Sequence, residues 1–460
     1  MSDWSWEIDG WMMLIGALCA GAAALLGNFL VLRRMSLLGD AISHAILPGL
    51  AAAFIFTGQR QGLVMFIGAA VVGVLTVLLT EMARQYGRVD EGASIGIVFT
   101  GLFAVGLILI SLDAAKRVDL DASCVLYGSL ELAVLDHVQL LGLSVPRVVV
   151  PLTIVFVMNA AFVFGLYRPL KVSTFDPQLA AAQGVPVGLI HYSLAAFVAV
   201  TAVASFESVG NILVVAMFVV PPVTAWLLTD RLSVMIVSSV VVGVMAAVLG
   251  HLSAITVPTW FGGGLSVLLG CIRWFSGGEA IELPTIGKAN TAGMIAVVAG
   301  LLMVLAALLG PRKGILSRGF RSLRVALKIL SEDVLAAIYR AELQGQTSVA
   351  TKTIRGNLLV SSIRARLVLG WLKWQRLVVE RDRQLSLAGD GRRRAQNIVR
   401  SHRLWEQYLA SEASGLTDRE LHEGAERFEH FTDRQLRERL NQETNAPDVD
   451  PHGQPIPPEA

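Results

Sequence analysis

Long apolar runs recur through the first two thirds of the chain, separated by short polar or Gly/Pro-containing connections. Each run has roughly 15 to 22 residues, near the ~20 that an α-helix needs to cross the hydrocarbon core of a bilayer. Strand-like alternation is absent, so the runs predict an all-α polytopic membrane domain of about nine transmembrane helices, with eight and ten as alternative counts. The runs are Trp11–Leu32, Ala41–Phe56, Leu63–Leu79, Ile95–Leu112, Val148–Leu166, Ile190–Ala204, Val209–Leu228, Val234–Ile255 and Thr291–Leu309.

The charge pattern predicts how these helices are oriented. Lys and Arg accumulate in cytoplasmic loops, whereas the residues before the first run include Asp3, Glu7 and Asp9 and no basic residue. An outside N-terminus and an odd number of spans place the C-terminal region in the cytoplasm. The basic residues that support this orientation are Arg33, Arg34, Arg84, Arg88, Arg168, Lys171, Arg312, Lys313, Arg318, Arg321 and Arg324.

The composition of the sequence changes after Gly310. From there to Ala460 it is charged, amphipathic and rich in arginine, and its roughly 150 residues suffice for a soluble domain with its own core. Residues 445–460 are rich in Pro and Asp and predict an extended tail. The chain therefore combines a membrane domain with a cytoplasmic domain.

Composition excludes several classes of protein. Of 460 residues, 54% are hydrophobic and 16% charged, and the low charged share disfavours a simple soluble enzyme. The formal net charge of +2 argues against a protein that coats nucleic acid along its length. Cys19, Cys124 and Cys271 are far apart in sequence, so neither a disulfide framework nor a thiolate zinc site is supported. Because the G-x-x-x-x-G-K-[ST] motif is missing, ATP hydrolysis is expected from a partner.

Two ionisable residues lie at the start of the second apolar run. Asp40 and His44 are four residues apart, so they share one face of a helix. Such a pair in a span is costly unless it meets a partner, water or a cation, and carboxylate with imidazole suits Mn²⁺, Fe²⁺ or Zn²⁺. The alternative is a helix cap at Asp40 and a structural hydrogen bond of His44.

The sequence around this pair resembles the zinc/manganese/iron ABC transporter permease family, and the resemblance covers about residues 11–316. It implies an importer permease in the bacterial plasma membrane, the inner membrane of a Gram-negative cell, with Asp40 and His44 holding the metal in transit. The partners it implies are ABC ATPase subunits, a second permease subunit of the same or a paralogous sequence, and an extracytoplasmic metal-binding protein. The matching motifs are R-R-M-S-L-L-G-D-A-I-S-H-A-I-L-P-G (33–49), S-F-E-S-V-G-N (205–211), V-V-P-P-V-T-A (219–225) and G-P-R-K-G (310–314).

The same resemblance assigns an ATPase-coupling role to the loop after the fifth run. Phe175, Asp176, Ala180 and Gly184 match the family there, on the predicted cytoplasmic side. An ordinary surface connection is the alternative. Glu207, between the sixth and seventh runs, is a candidate for the metal pathway near its outer end or an interfacial residue.

Two amphipathic helices near the C-terminus each combine imidazole and carboxylate groups. His402 and Glu406 are four residues apart in the first helix. One side of the second helix carries His422, Glu426, Glu429 and His430. Together they predict one or two six-coordinate sites for a divalent metal with oxygen and nitrogen ligands, and a solvated face with ion pairs is the alternative.

These helices resemble the iron/manganese-dependent repressors of the diphtheria-toxin-repressor type. By this resemblance Glu426, Glu429 and His430 fall on ligand positions of the primary or binuclear site, His402, Glu406 and His422 on those of a neighbouring site, and Asp333 on the position of the first-helix ligand. Glu426 stands where iron-type members have Cys, which favours Mn²⁺, whereas Ala336 replaces a carboxylate of the manganese-type members. The matching motifs are V-R-S-H-R-L-W-E (399–406), H-E-G-A-E-R-F-E-H (422–430) and P-H-G-Q-P-I-P (451–457).

The two resemblances predict the domain organisation and leave DNA binding open. In the winged-helix-like region, Arg364, Arg366 and Lys373 could meet DNA phosphates. The apolar residues between them, Ile363, Leu367, Val368, Leu369 and Leu372, are typical of a core or a protein contact. The predicted parts are a transmembrane permease domain at 1–316, a juxtamembrane linker at 317–330, a winged-helix-like region at 331–395, a metal-binding and dimerisation-like helical region at 396–444 and the tail at 445–460.

The predicted function is the permease subunit of an ATP-driven importer of manganese, zinc or iron, with a cytoplasmic metal-sensing regulatory domain. No cofactor for chemistry is expected, and membrane lipid is a further expected partner. A membrane-tethered, metal-dependent transcriptional regulator, whose partner would be DNA, is one alternative, and a secondary transporter that works without ATP is another. A cobalamin or siderophore permease would not need an Asp/His pair in the membrane.

Overall fold

The chain forms two compact units in the computed structural model, residues 1–317 and 318–460. The structure describes residues 4–57, 63–112, 130–140, 142–276, 289–357, 362–412, 417–445 and 447–460. Helices dominate both units, which confirms the predicted fold class.

The first unit contains thirteen helices and one two-stranded hairpin among its described residues. Among the described residues, seven segments are long and apolar enough to cross a membrane, one of them formed by α2 and α3 together, and the pair α7 and α8, bent by 71°, can form an eighth span. The apolar part of α11, Leu213–Leu228, is shorter. The elements are α1 (Trp6–Leu32), α2 (Leu38–Ala45), α3 (Leu47–Thr57), α4 (Leu63–Gly87), α5 (Glu91–Leu112), α6 (Leu130–Ala133), β1 (His137–Leu140), β2 (Leu143–Pro146), α7 (Val149–Gly165), α8 (Tyr167–Phe175), α9 (Pro177–Ala182), α10 (Val187–Val209), α11 (Asn211–Leu228), α12 (Leu232–Ser276) and α13 (Thr291–Leu309).

Helix α1 packs against α7, α10, α11 and α12. Alanine and glycine make up most of its buried middle, which lets neighbouring backbones approach closely. A Cβ atom on Gly27 would lie 2.2 Å from the carbonyl oxygen of Phe218 on α11. A glycine is therefore required where α1 and α11 meet.

Two helix breaks position the polar residues of the membrane unit. The break at Ile46 separates α2 from α3, so the second apolar run is two helices rather than one. Gly210, at φ 80°, separates α10 from α11 in a backbone conformation that favours glycine. Helix α2 packs against α4, α5, α10 and α11, so the two breaks lie near each other.

The second unit begins within a long helix and contains a three-stranded antiparallel sheet in the order β3–β5–β4. Residues 317–330 belong to α14, which continues without a break to Leu343. Asp382 and Arg383 form the two-residue turn between β4 and β5, both at positive φ. The elements are α14 (Ile315–Leu343), β3 (Val349–Ala350), α15 (Thr351–Asn357), α16 (Ser362–Trp374), β4 (Val378–Arg381), β5 (Gln384–Leu387), α17 (Gly389–Glu412), α18 (Asp418–Glu429) and α19 (Arg434–Glu443).

The core of the second unit lies between α14, α15, α16 and the sheet, with Ile338, Leu372 and Leu385 fully buried. Helix α17 packs against α18 and α19. The last residues contain no helix and fold back onto α17, where Arg400 Nη1 donates a hydrogen bond to the Pro457 carbonyl at 2.6 Å. The tail is thus attached to the helix that carries His402.

Candidate metal sites

Asp40 and His44 lie on one face of α2. The His44 Nε2 is 3.5 Å from the Asp40 Oδ1, and both side chains are partly exposed. The ring centroids of Phe99 and Phe103 on α5 lie 6.1 and 6.3 Å from that of His44. The i, i+4 spacing thus places one carboxylate and one imidazole side by side, next to two aromatic rings.

Asn211, the first residue of α11, adds a third polar group to this pair. Its Nδ2 is 3.3 Å from the His44 Nε2. Its Oδ1 is buried and has no hydrogen-bond partner among the described residues. A buried amide oxygen without a partner is costly, so this atom is available as an additional oxygen ligand. The Asp40 carboxylate and the His44 imidazole are donors that fit Mn²⁺ or Zn²⁺, and Asn211 contacts the imidazole through its amide nitrogen.

The candidate coupling residues lie between α8 and α10. Phe175 is exposed, and Ala180 is buried. The Asp176 Oδ1 accepts a hydrogen bond from the Leu179 amide at 2.9 Å, so this carboxylate caps α9. Gly184, at φ 78°, lies in the turn that follows α9. The short helix α9 is therefore capped by Asp176 and followed by a turn at Gly184, and the exposed ring of Phe175 lies directly before it.

Arg33 connects this loop to the helix that carries the membrane pair. Its Nε donates a hydrogen bond to Thr174 Oγ1 at 3.1 Å, and its Nη2 donates one to Ser173 Oγ at 2.9 Å. Ser173 and Thr174 are in the last turn of α8, directly before α9. Arg33 itself follows α1 and precedes α2, so it bonds the end of α8 to the segment that leads to Asp40 and His44.

In the second unit, His402, Glu406 and His422 form one cluster of ligand-type groups, here called the His402 cluster. The His402 Nε2 is 3.0 Å from Glu406 Oε1 and 2.9 Å from His422 Nδ1. The His422 Nδ1 is 3.0 Å from the same Glu406 oxygen. Atoms at these separations fit around one ion at metal–ligand distances of about 2.1 Å.

Asp333, Glu429 and His430 form a second cluster, here called the His430 cluster. The His430 Nε2 is 3.1 Å from Asp333 Oδ1 and 3.3 Å from Glu429 Oε1. On the other side of the ring, His430 Nδ1 is 2.8 Å from Glu332 Oε2. A carboxylate at that position fixes the orientation of an imidazole whose other nitrogen faces a metal. The fold therefore joins α14 to the end of α18, almost a hundred residues further along the chain.

Glu429 also joins the two clusters. Its Oε2 is 2.7 Å from His402 Nδ1, yet these two buried atoms have no aligned hydrogen bond. Buried polar atoms without a hydrogen bond fit a site built for a cation. Glu426, by contrast, is exposed, with its Oε1 3.5 Å from His422 Nε2. It lines a cleft of about 910 Å³ together with Asp333, Glu429 and His430, outside the tight groups.

The charges in these clusters favour a cation. Burial opposes the charged form of His430, but the carboxylates of Asp333 and Glu332 outweigh burial and raise the pKa of His430 to about 9. Burial likewise opposes the charged form of Glu406, yet hydrogen bonds with His402 and His422 lower its pKa to about 2. The Glu406 carboxylate is therefore ionised at neutral pH, and a divalent ion has to displace the proton of His430.

Three residues of these sites were missed by the sequence analysis as ligands or partners. His452 lies in the tail with its Nε2 3.9 Å from Glu406 Oε1. Glu332 and Asn211 contact the ligand-type histidines from neighbouring elements. His452 and Asn211 lie inside motifs that carried the resemblances, and these motifs could have indicated both residues as part of the sites. Glu207 is in the last turn of α10, but its side chain lies outside the described residues, so its pathway role stays a prediction.

The helix with the candidate DNA-contacting residues is α16. Val368, Leu369 and Leu372 are buried in the core, as expected for an apolar face. Its outward face exposes Leu367, Trp371 and Trp374. Lys373 forms an ion pair with Glu380, and Arg364 and Arg366 are exposed. An outward face with three large apolar side chains has little capacity to read base edges.

Family models match both parts of the chain. Residues 6–275 match the model of the ABC 3 transport family, and residues 389–458 match the iron dependent repressor, metal binding and dimerisation domain. The second match contains the His402 cluster together with Glu429 and His430. Both matches confirm the resemblances that the sequence motifs carry.

Named relatives agree with the first match. The manganese transport system membrane protein MntD of Bacillus subtilis is 41% identical over 265 residues, covering 57% of this chain and 89% of MntD. The zinc transport system membrane protein TroD of Treponema pallidum is 31% identical over 360 residues, covering 78% of this chain and 90% of TroD. Among solved structures, PsaBC from Streptococcus pneumoniae in complex with Fab has 29% identity and a TM-score of 0.50, covering 66% of this chain and 92% of the PsaBC chain.

Proposed function

Because this chain belongs to the ABC 3 transport family, we propose that it is the permease subunit of an ATP-driven importer of Mn²⁺ or Zn²⁺. Relatives named for manganese and zinc transport support this substrate class. The observation that supports the proposal is the contact of His44 with both Asp40 and Asn211 where α2 meets α11. Their oxygen and nitrogen donors suit both ions and disfavour a soft ion such as Cu⁺.

In the proposed importer, ATP hydrolysis by separate ATPase subunits drives transport. The chain has no phosphate-binding motif of its own, and α9 offers them a short capped helix with Phe175 exposed. Arg33 ties the last turn of α8 to the segment before α2. Movement of α9 on ATP binding would thus reach Asp40 and His44 through one hydrogen-bonded contact.

The second unit is the regulatory part of the proposed importer. Its two clusters lie on the cytoplasmic side if the positive-inside pattern holds, where they would hold Mn²⁺ from the pool that import supplies. Glu429 and His402 link the clusters, so occupation of one changes the charge that faces the other. Metal in the His430 cluster would connect α14, which follows the last membrane helix, to α18. A sensor that inhibits import at high cytoplasmic metal is the regulation that this arrangement supports.

Uptake into proteoliposomes tests the proposed transport reaction. The complete complex, with its ATPase subunits and the extracytoplasmic binding protein, is reconstituted and supplied with ⁵⁴Mn²⁺, ⁶⁵Zn²⁺ or ⁵⁵Fe²⁺. Accumulation of Mn²⁺ or Zn²⁺ that requires ATP is the expected result. Uptake by the permease alone, driven by an ion gradient, would instead establish a secondary transporter. Metal-dependent binding of promoter DNA with a steep salt dependence would favour the regulator alternative.

A further inference from the structure

The first half of α14, residues 315–330, is basic and amphipathic and is here called the juxtamembrane segment. Between Gly310 and Ser331 the chain contains six Lys and Arg residues and no Asp or Glu. Such a cluster directly after a membrane helix is a recognised pattern for binding acidic lipid headgroups. Acidic lipid and an acidic protein partner both suit this charge, and the two faces of the helix distinguish between them.

An apolar stripe runs along this segment at spacings of three and four. Leu316, Phe320 and Leu323 are 57%, 62% and 51% exposed, respectively. The same stripe continues into Leu327 and Leu330, which pack in the core of the second unit. The second half of the stripe thus faces the core of the second unit, whereas no described residue covers its first half.

The basic residues lie on the polar side of the same helix, with Arg324 beside the stripe and Arg318 and Arg321 on the opposite face. Arg318, Arg321 and Arg324 recur every third residue and form no ion pair with a described acidic side chain. The Arg324 guanidinium lies 5.0 Å from the Phe320 ring centroid, so its stem lies along the apolar stripe. The segment therefore has three apolar side chains on one face and three arginines on its polar side, which is the pattern of helices that lie in a membrane interface.

The connection to the last membrane helix keeps the segment near the bilayer. Only five residues separate α13 from α14, and a chain of that length reaches at most about 18 Å. The turn is tighter than that limit, because the Gly310 amide donates to the Ala306 carbonyl at 2.8 Å and the Gly314 amide donates to the Gly310 carbonyl at 3.0 Å. Arg312 is bound to Asp230 at 2.6 Å, which attaches this turn to the residues after α11.

We propose that the juxtamembrane segment binds the cytoplasmic surface of the bilayer, with Leu316, Phe320 and Leu323 among the acyl chains and Arg318, Arg321 and Arg324 on acidic phospholipid headgroups. The occupant is lipid because the charge pattern and the tether both favour an anionic surface at the membrane boundary. Asp333 of the His430 cluster lies on the same unbroken helix. Lipid contact and the metal cluster are therefore connected by one rigid element.

Site-directed spin labelling of the full chain in nanodiscs tests this inference. The three native cysteines are replaced by alanine, and single labels are placed by Phe320→Cys and Leu323→Cys, with Val325→Cys on the opposite face as the matched control. In nanodiscs with about 30% phosphatidylglycerol, we expect the labels at 320 and 323 to be accessible to oxygen and protected from a water-soluble nickel chelate. The label at 325 is expected to show the reverse.

Charge variants then separate acidic lipid from other occupants. Replacement of Arg318, Arg321 and Arg324 by Gln should lower the ratio of lipid-bound to free segment by roughly fivefold per charge, whereas the triple Lys variant should retain it. The same loss is expected in nanodiscs of phosphatidylcholine alone or at high salt. Nickel accessibility at 320 and 323 in every lipid would overturn the proposal. Protection of both labels from oxygen as well as nickel, which indicates cover by protein, would also overturn it.

Discussion

The Glu429 Oε2 and the His402 Nδ1 lie 2.7 Å apart, and this contact connects the His402 cluster to the His430 cluster. Glu429 comes from the end of α18, and His402 comes from the buried face of α17. Because the other oxygen of Glu429 faces His430, a single carboxylate belongs to both metal-binding groups. Metal binding by the second unit should therefore depend more on Glu429 than on any other acidic residue in it.

Replacing Glu429 by Gln should weaken metal binding at both clusters. The change keeps the size of the side chain but removes the negative charge that each cluster shares, and we expect Mn²⁺ affinity to fall by about 10- to 100-fold. Isothermal titration of the full-length protein compares this variant with Glu423→Gln, whose carboxylate is exposed and paired with Arg419. Equal Mn²⁺ stoichiometry and affinity in the two variants would exclude a shared role for Glu429.

The pKa of His430 predicts a pH dependence for Mn²⁺ binding. A pKa of about 9 means that the ring is protonated at neutral pH, and metal has to displace that proton. Binding affinity should therefore rise by about tenfold per pH unit between pH 6.5 and 8, with close to one proton released by His430. Calorimetry in buffers of different ionisation enthalpy measures the released protons. His430→Gln should lose this proton, and an unchanged proton count in that variant would contradict the assignment.

The raised pKa of His430 also affects stability without metal. A group whose pKa is higher in the folded state stabilises the fold below its unfolded value near 6.5 and loses that contribution as the pH rises through about 9. With a metal chelator present, thermal unfolding of the second unit should thus shift to lower temperature between pH 6.5 and 9. The shift should be smaller in Glu332→Gln and Asp333→Asn, which remove the partners of the charged ring. A constant midpoint across this range would rule out the ion pairs.

Arg33 should couple ATP hydrolysis to transport. Its hydrogen bonds to Ser173 and Thr174 connect the loop that carries α9 to the segment before α2. Arg33→Leu should lower metal uptake by at least tenfold while ATPase activity of the assembled complex persists. Lys171→Leu, on an exposed position of the same α8, is the control and should transport normally. Parallel loss of uptake and ATPase activity in Arg33→Leu would point to failed assembly instead.

Gly27→Ala should destabilise the membrane unit. The added Cβ would meet the Phe218 carbonyl oxygen at 2.2 Å, so α1 and α11 would have to move apart. The cost of such overpacking is about 1 to 3 kcal/mol. The midpoint of thermal unfolding in detergent measures it. Gly165→Ala in α7 meets nothing within 4 Å and should leave the midpoint unchanged or raise it. Similar midpoints for both variants would mean that the close approach is not required.

The sequence predicted what local spacing determines. Apolar runs of sufficient length identified the membrane helices, and the i, i+4 spacing placed Asp40 beside His44 and His402 beside Glu406. Motif resemblance was needed to add Asp333, because no local pattern connects it to residues almost a hundred positions away.

The parts of the sites that the sequence did not predict depend on contacts between distant segments. Asn211 reaches His44 because Gly210 ends α10 and turns the chain, and His452 reaches Glu406 because the tail folds back onto α17. The break between α2 and α3 lies just before Pro48, which has no backbone N–H to continue the hydrogen bonds of α2, and the length of the apolar run alone did not indicate it. The position of Glu426 outside the tight clusters likewise depends on how α18 packs against α17.

The most direct test of the transport site is ATP-dependent ⁵⁴Mn²⁺ or ⁶⁵Zn²⁺ uptake by complexes that carry Asp40→Asn and His44→Gln. The matched control carries Asp136→Asn and His137→Gln, an adjacent carboxylate and imidazole near the β1–β2 hairpin. Uptake should fall at least 100-fold in the first variant, with subunit assembly intact, and should stay normal in the control. Normal uptake by a stable Asp40→Asn, His44→Gln complex would contradict passage of the metal through this pair.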